Sequence, residues 1–184
     1  MSDELLVKQG APTLAGIKTG NLFPCSCESR ERLWQEVREQ NWRLVPKGLC
    51  LLPLRCSENR ALLYLYRPEL LRQDLQDRQA EMLLRQAGYP CGNVERCLAQ
   101  LIRRLRCGGE FPHEIGLFLS YPPEDVQGFI EHRAGDFKCV GTWKVYGDEN
   151  RAKRLFAAYK KCTAVYYAGW RAGKSIEQLA VTTI

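Results

Sequence analysis

"GLCLLPLRCSENRALLYLYR", residues 48–67, decides the fold class. Two extended apolar runs, "GLCLLPLRC" and "RALLYLYR", flank the polar turn "SEN", which predicts a β-hairpin. Pro53 supplies no ladder donor, so the first strand is expected at an edge or with a bulge. On either side the period changes from two to that of a helix. Upstream, "ESRERLWQEVREQNWRL" spaces Leu33, Trp34, Val37 and Gln40 or Asn41 along one face among charged residues. Downstream, residues 68–107 are helical, interrupted at "AGYPCGN". Leu98, Leu101, Ile102 and Leu105 form a stripe there, while Arg103, Arg104 and Arg106 face away.

Further out, "APTLAG" places Pro12 near a helix start, with Leu14 and Ile17 on one face. Gly16, Thr19 and Gly20 weaken the end of that helix. "GGEFP" closes the residue-107 helix. "EIGLFLSY" then reads as a strand covered on both faces. Pro122 and Pro123 begin a helix whose positive end carries Glu124 and Asp125, with Val126, Phe129 and Ile130 as its buried face. "AGD" ends it, and "FKCVGTWKVY" alternates as another strand. A long helix follows from Asp148 to Gly169 or beyond, with Leu155, Tyr159, Cys162 and Tyr166 on its stripe. The expected architecture is α+β: one domain over residues 1–184, a mixed, mostly antiparallel sheet with helices packed on it.

Bulk properties exclude several classes. Hydrophobic residues make up 45% and charged residues 26%, an ordinary globular balance. No apolar run reaches the ~20 residues that span a bilayer, and "MSDELLVKQG" has no apolar signal core. A cytoplasmic location without membrane insertion is expected. The nine cysteines are odd in number and include no C-x-x-C. With only two histidines beside them, reduced thiols are expected, with neither metal nor cofactor. No G-x-x-x-x-G-K-[ST], G-x-G-x-x-G or G-x-S-x-G is present.

The net charge of +6 is unevenly placed. Residues 151–184 carry seven Lys or Arg against the single Glu177, so the excess lies in the last segment. Lys153, Lys160, Lys161 and Arg171 share one approximate helix face, a candidate surface for an acidic partner protein or, weakly, nucleic acid. The alternative is a solvated helix face. Aromatics lie close by, but Tyr159 and Tyr166 fit the buried stripe. His113, heading its apolar run, is the one histidine placed to project into a cleft as a base. The alternative is a ring satisfied by a backbone carbonyl. His132 stands where a cation favours a helix C-terminus.

The blocks "APTLAGIKTGNLF", "HEIGLFLSYPPEDVQGFIEH", "GTWKVYGDE" and "YKKCTAVYYAGWRAGKSIEQLAV" together resemble the bacterial family called domain of unknown function 3793, over nearly the whole chain. The resemblance implies a bacterial protein, mainly of anaerobic Firmicutes. It also implies a setting near ferrous-iron uptake or flavodoxin-type genes, with no established activity. Members often read "CAPTLAG" where this chain has "GAPTLAG". A Cys-x-Pro-Thr opening a helix is similar to the nucleophile box of papain-like cysteine peptidases, with His113 matching the base. Gly10 has no side chain and cannot be that nucleophile. The comparison is then accidental, or the activity has been lost here, or a cysteine has been altered at residue 10. The sequence therefore favours a cytosolic binding or accessory protein with an unidentified small ligand or acidic partner, in iron or redox physiology. A papain-like thiol enzyme or its degenerate descendant is the alternative, and a polyanion binder the third reading.

Overall fold

In the computed structural model, which describes residues 1–57, 59–107, 110–133 and 135–182, the hairpin forms as expected. Strands β2 (Cys50–Cys56) and β3 (Arg60–Tyr66) pair antiparallel, and the register slips between Pro53 and Arg55. The middle of the "SEN" turn, residue 58, lies outside the described residues. The third strand, β1 (Gly20–Ser26), was not expected. It pairs antiparallel with the other side of β3, giving the order β1-β3-β2. Pro24 and Pro53 thus both sit on edge strands, where a missing ladder donor costs least. The central strand is buried on both faces, with Ala61, Leu63, Tyr64, Leu65 and Tyr66 all in the interior.

The chain divides into two compact units, residues 1–69 with 159–184, and residues 70–158. In the first, helices α1 (Asp3–Leu14) and α2 (Arg30–Leu44) pack on the three-stranded sheet. Leu6, Leu14, Leu33, Val37 and Leu44 meet Phe23, Leu51, Leu63 and Leu65 in one core. Each such side chain contributes about 1.5–3 kcal/mol by leaving water. The α2 stripe was correctly read at Leu33 and Val37, but Asn41 does more than fill a face. Its amide donates to the Leu51 carbonyl (2.9 Å) and accepts from the Leu51 N–H (2.7 Å). A side chain thereby stands in for a neighbouring strand and blunts the β2 edge.

Helix α1 starts earlier than Pro12 suggested. Ser2 caps it, accepting from the Leu5 N–H, and Asp3 and Glu4 occupy the first turn. Pro12 lies in its last turn, and Ile17 is exposed rather than on a buried face. The carbonyls of Thr13 and Leu14, at the α1 C-terminus, accept from the guanidinium of Arg67 at 2.7 Å each. The same guanidinium donates to the carbonyls of Val181 (2.7 Å) and Lys47 (3.2 Å). Arg67 is fully buried and fastens three segments of this unit to the end of β3. Nearby, burial lowers the Lys18 ammonium to about 8, and its Nζ stands 5.8 Å from the Tyr159 ring centroid.

The second unit is mostly helical: α3 (Pro68–Leu75, which begins at the boundary), α4 (Arg78–Gln86), α5 (Val94–Arg106) and α6 (Pro123–Glu131). Strands β4 (Cys139–Val140) and β5 (Lys144–Val145) form only a short antiparallel ladder, far less than the strand expected over residues 137–146. The ends expected at "GGEFP" and "AGD" touch residues 108, 109 and 134, which lie outside the described residues.

The largest correction concerns "EIGLFLSY". Residues His113–Leu119 form a 3-10 helix, not a strand. Period alone cannot separate a short buried strand from a buried helical turn. Here helices surround the run, and every residue from Glu114 to Leu119 is buried. Gly116 permits the close packing of α6: a Cβ there would meet Val126 Cγ2 at 2.8 Å. Ser120, at φ 59°, ends the turn in the left-handed conformation. Buried Glu114 accepts from the Tyr89 hydroxyl (2.7 Å) and pairs with Arg104 (3.2 Å). Burial and this carboxylate push the Tyr89 hydroxyl pKa upward.

Helix α7 (Glu149–Arg171) runs as expected, and α8 (Ile176–Leu179) follows with a capping box at Ser175 and Gln178. The chain is therefore an α+β structure with small antiparallel sheets. No helix among the described residues is long and apolar enough to cross a membrane.

Candidate functional site

A cavity of about 350 Å³ lies within the second unit, between the 3-10 helix, α6 and the β4–β5 turn. Its size falls in the range of small-molecule sites. Phe111, Tyr121, Phe129 and Trp143 give it aromatic walls, and Val140 and Thr142 lie at the exposed turn. The tight turn "VGTW" carries Trp143 inward, where its ring stacks on Tyr121 at 4.8 Å and meets Phe156 edge-on at 4.5 Å.

Asp125 holds this wall in place. Its carboxylate is 3% exposed and accepts three hydrogen bonds. They come from Trp143 Nε1 (2.6 Å) and the backbone N–H groups of Tyr146 and Gly147 (2.7 Å each). An acid in the first turn of α6 also faces the positive end of that helix. Both oxygens are engaged, so Asp125 ties α6 to the segment after β5.

His113 lines the same cavity. Its ring meets Phe129 edge-on at 4.9 Å, and Nε2 stands 3.7 Å from the exposed carboxylate of Glu110. Lys144, on β5, brings its ammonium within 5.9 Å of the Phe129 ring centroid and 4.7 Å of that of Phe137. Reading the sequence gave His113 a place in a cleft but passed over Lys144. Only its alternation with buried Trp143 and Val145 could have marked it. Phe129 proves to be half-buried against the cavity, and Ile130 is exposed, so the face expected for α6 is narrower than read.

The other singled-out residues lie elsewhere. Gly10 belongs to the first unit and sits in the second half of α1, fully inside the helix. The expectation that residue 10 precedes a helix N-terminus is therefore corrected. The helix begins at Asp3, and a Cβ on Gly10 would meet the Leu65 Cδ2 at 2.5 Å. Lys160, Lys161 and Arg171 are exposed on α7, and exposed Lys153 pairs with Glu149 at 2.7 Å. That carboxylate raises the Lys153 pKa. His132 is the C-cap residue of α6, where the sequence placed it. All nine cysteines are free thiols. Among the described residues no group of three or more His, Cys, Asp or Glu is arranged to hold a metal ion.

No curated protein and no solved structure is similar to this chain. Residues 6–180 match the model of the family described as "Protein of unknown function (DUF3793)", so the chain belongs to that family.

Proposed function

We propose that the protein is a binding protein for a small apolar ligand, seated in the cavity between the 3-10 helix, α6 and the β4–β5 turn. The observation that carries this reading is an aromatic-walled cavity of about 350 Å³ whose one buried acid is spent on structure. Burying an apolar molecule there would contribute roughly 25 cal/mol per Å² of surface removed from water, less the cost of association. The thiol-enzyme reading loses its main argument. Residue 10 is far from a helix N-terminus, which is what lowers a thiol pKa. The exposed basic face of α7 is compatible with a weak polyanion contact in addition. A role in iron or redox physiology would lie in what the ligand is.

Fluorescence titration with phenylnaphthylamine, a neutral probe that brightens in apolar surroundings, tests the reading. Saturable binding at one site per chain is expected. Val140→Phe, a change at an exposed cavity-lining position, should weaken that binding at least tenfold without lowering Tm. Probe binding indifferent to this substitution would overturn the proposal.

A further inference from the structure

The geometry points to an aromatic acid as the ligand class, with its ring between the aromatic walls and its anionic group beside Lys144 and His113. This rests on the cavity being the binding site, and it assigns the site a charge preference that apolar walls alone would not give.

The argument is one of sign. Among the residues lining the cavity, three have ionisable side chains other than tyrosine: Asp125, His113 and Lys144. The Asp125 carboxylate is enclosed, and its oxygens already accept from the Trp143 indole and two backbone N–H groups. It offers a ligand little field beyond what those dipoles offset. Lys144 brings an ammonium group to this edge, and His113 has an N–H donor in either tautomer. Both flank the same Phe129 ring, the imidazole at 4.9 Å and the ammonium at 5.9 Å from its centroid. Glu110, whose carboxylate stands 3.7 Å from His113, is 89% exposed, so water and salt screen it. A ligand with a planar ring against Tyr121, Phe129 and Trp143 would therefore meet its strongest polar complement at this edge. A carboxylate accepts there from two cationic or N–H donors. A hydroxyl gains less, because it brings no negative charge to pair with the ammonium. A cationic head group would face like charge.

Calorimetric titration of the intact chain with naphthoate and with neutral naphthylmethanol isolates the anionic group, because the two share a ring system. Naphthoate is expected to bind at least tenfold more tightly. Lys144→Met should remove about tenfold from naphthoate affinity and leave naphthylmethanol within about twofold. Lys144→Arg should keep most of the preference, which separates charge from a loss of folding. His113→Gln should give a smaller loss, again for naphthoate alone. If the two compounds bind equally, or Lys144→Met weakens both alike, the charge assignment fails while the cavity reading stands. If neither binds, and phenylnaphthylamine does not either, both fail together.

Discussion

Asp125 and Arg67 carry charge into the interior for structural ends, and each can be recognised by what its atoms touch. Arg67 spends its donors on four carbonyls drawn from three segments. Asp125 spends its acceptors on one indole and two backbone donors. Removing such a group leaves its partners buried and unsatisfied, which costs more than the bond was worth. Asp125→Ala should therefore destabilise the second unit by about 3 kcal/mol or more, followed by urea unfolding with Trp emission as the signal. Asp125→Asn keeps the shape but has one acceptor oxygen for three donors, so about 1–3 kcal/mol is expected. A loss under 0.5 kcal/mol for the alanine variant would show that the Trp143 wall holds without the acid. The sequence placed Asp125 correctly at a helix start. It gave no sign of the Trp143 and Gly147 partners, because those contacts depend on a turn about twenty residues later.

At the scale of elements, what could be read was whatever local periodicity determines. The β2–β3 hairpin, α2, α5 and α7 all follow from their own apolar spacing and flanking charges. Among those that did not, three show why. Strand β1 contains Gly20 and Pro24, which disfavour a strand locally, and it is a strand because β3 presents it a free edge. The run at 114–119 is uniformly apolar, so its conformation is decided by neighbours rather than by period. Helix α1 was anchored on Pro12, although "SDE" at residues 2–4 is an ordinary cap signal. That last miss bears on function, since it moved residue 10 from a helix start to a helix interior. Gly10→Cys should accordingly fit badly. The nearest atom is the end of a Leu65 side chain, but that side chain is itself fully buried and cannot move freely. A loss of about 1–3 kcal/mol is expected, as for other overpacked cores. The introduced thiol should react with iodoacetamide more slowly than exposed Cys107 in the folded protein, as mass spectrometry of digested samples would show. A thiol at residue 10 that reacts faster than Cys107 would restore the thiol-enzyme reading.

At the scale of the whole chain, distant segments converge on the first unit, and Arg43 joins two of them to α2. Arg43, near the end of α2, donates to both carboxylate oxygens of Asp3 at 2.8 Å and to both of Glu177 in α8. Close by, the Val181 N–H donates to the Leu14 carbonyl at 3.0 Å. This bidentate clamp spans more than a hundred residues and closes the sheet-and-helix unit around its core. The guanidinium beside it holds the Glu177 carboxyl down at about 2, and it also lowers that of Asp3. Both acids bind protons less readily in the folded chain than in the unfolded one. The stability they supply is therefore fully present above the ordinary carboxylate range, and it is lost as pH falls from about 4.5 towards 2. Their side chains are 27% and 38% exposed, so solvent screening makes the effect smaller than the shifts alone suggest. Thermal unfolding measured at intervals across that window should show Tm falling steeply in the native chain. Arg43→Met should start from a lower Tm at neutral pH and lose less of it on acidification, because its carboxylates then titrate near their ordinary values. Parallel curves for the two proteins would mean that the clamp contributes nothing to acid stability. The fall would then belong to other pairs, such as Glu36 with the N-terminal amine.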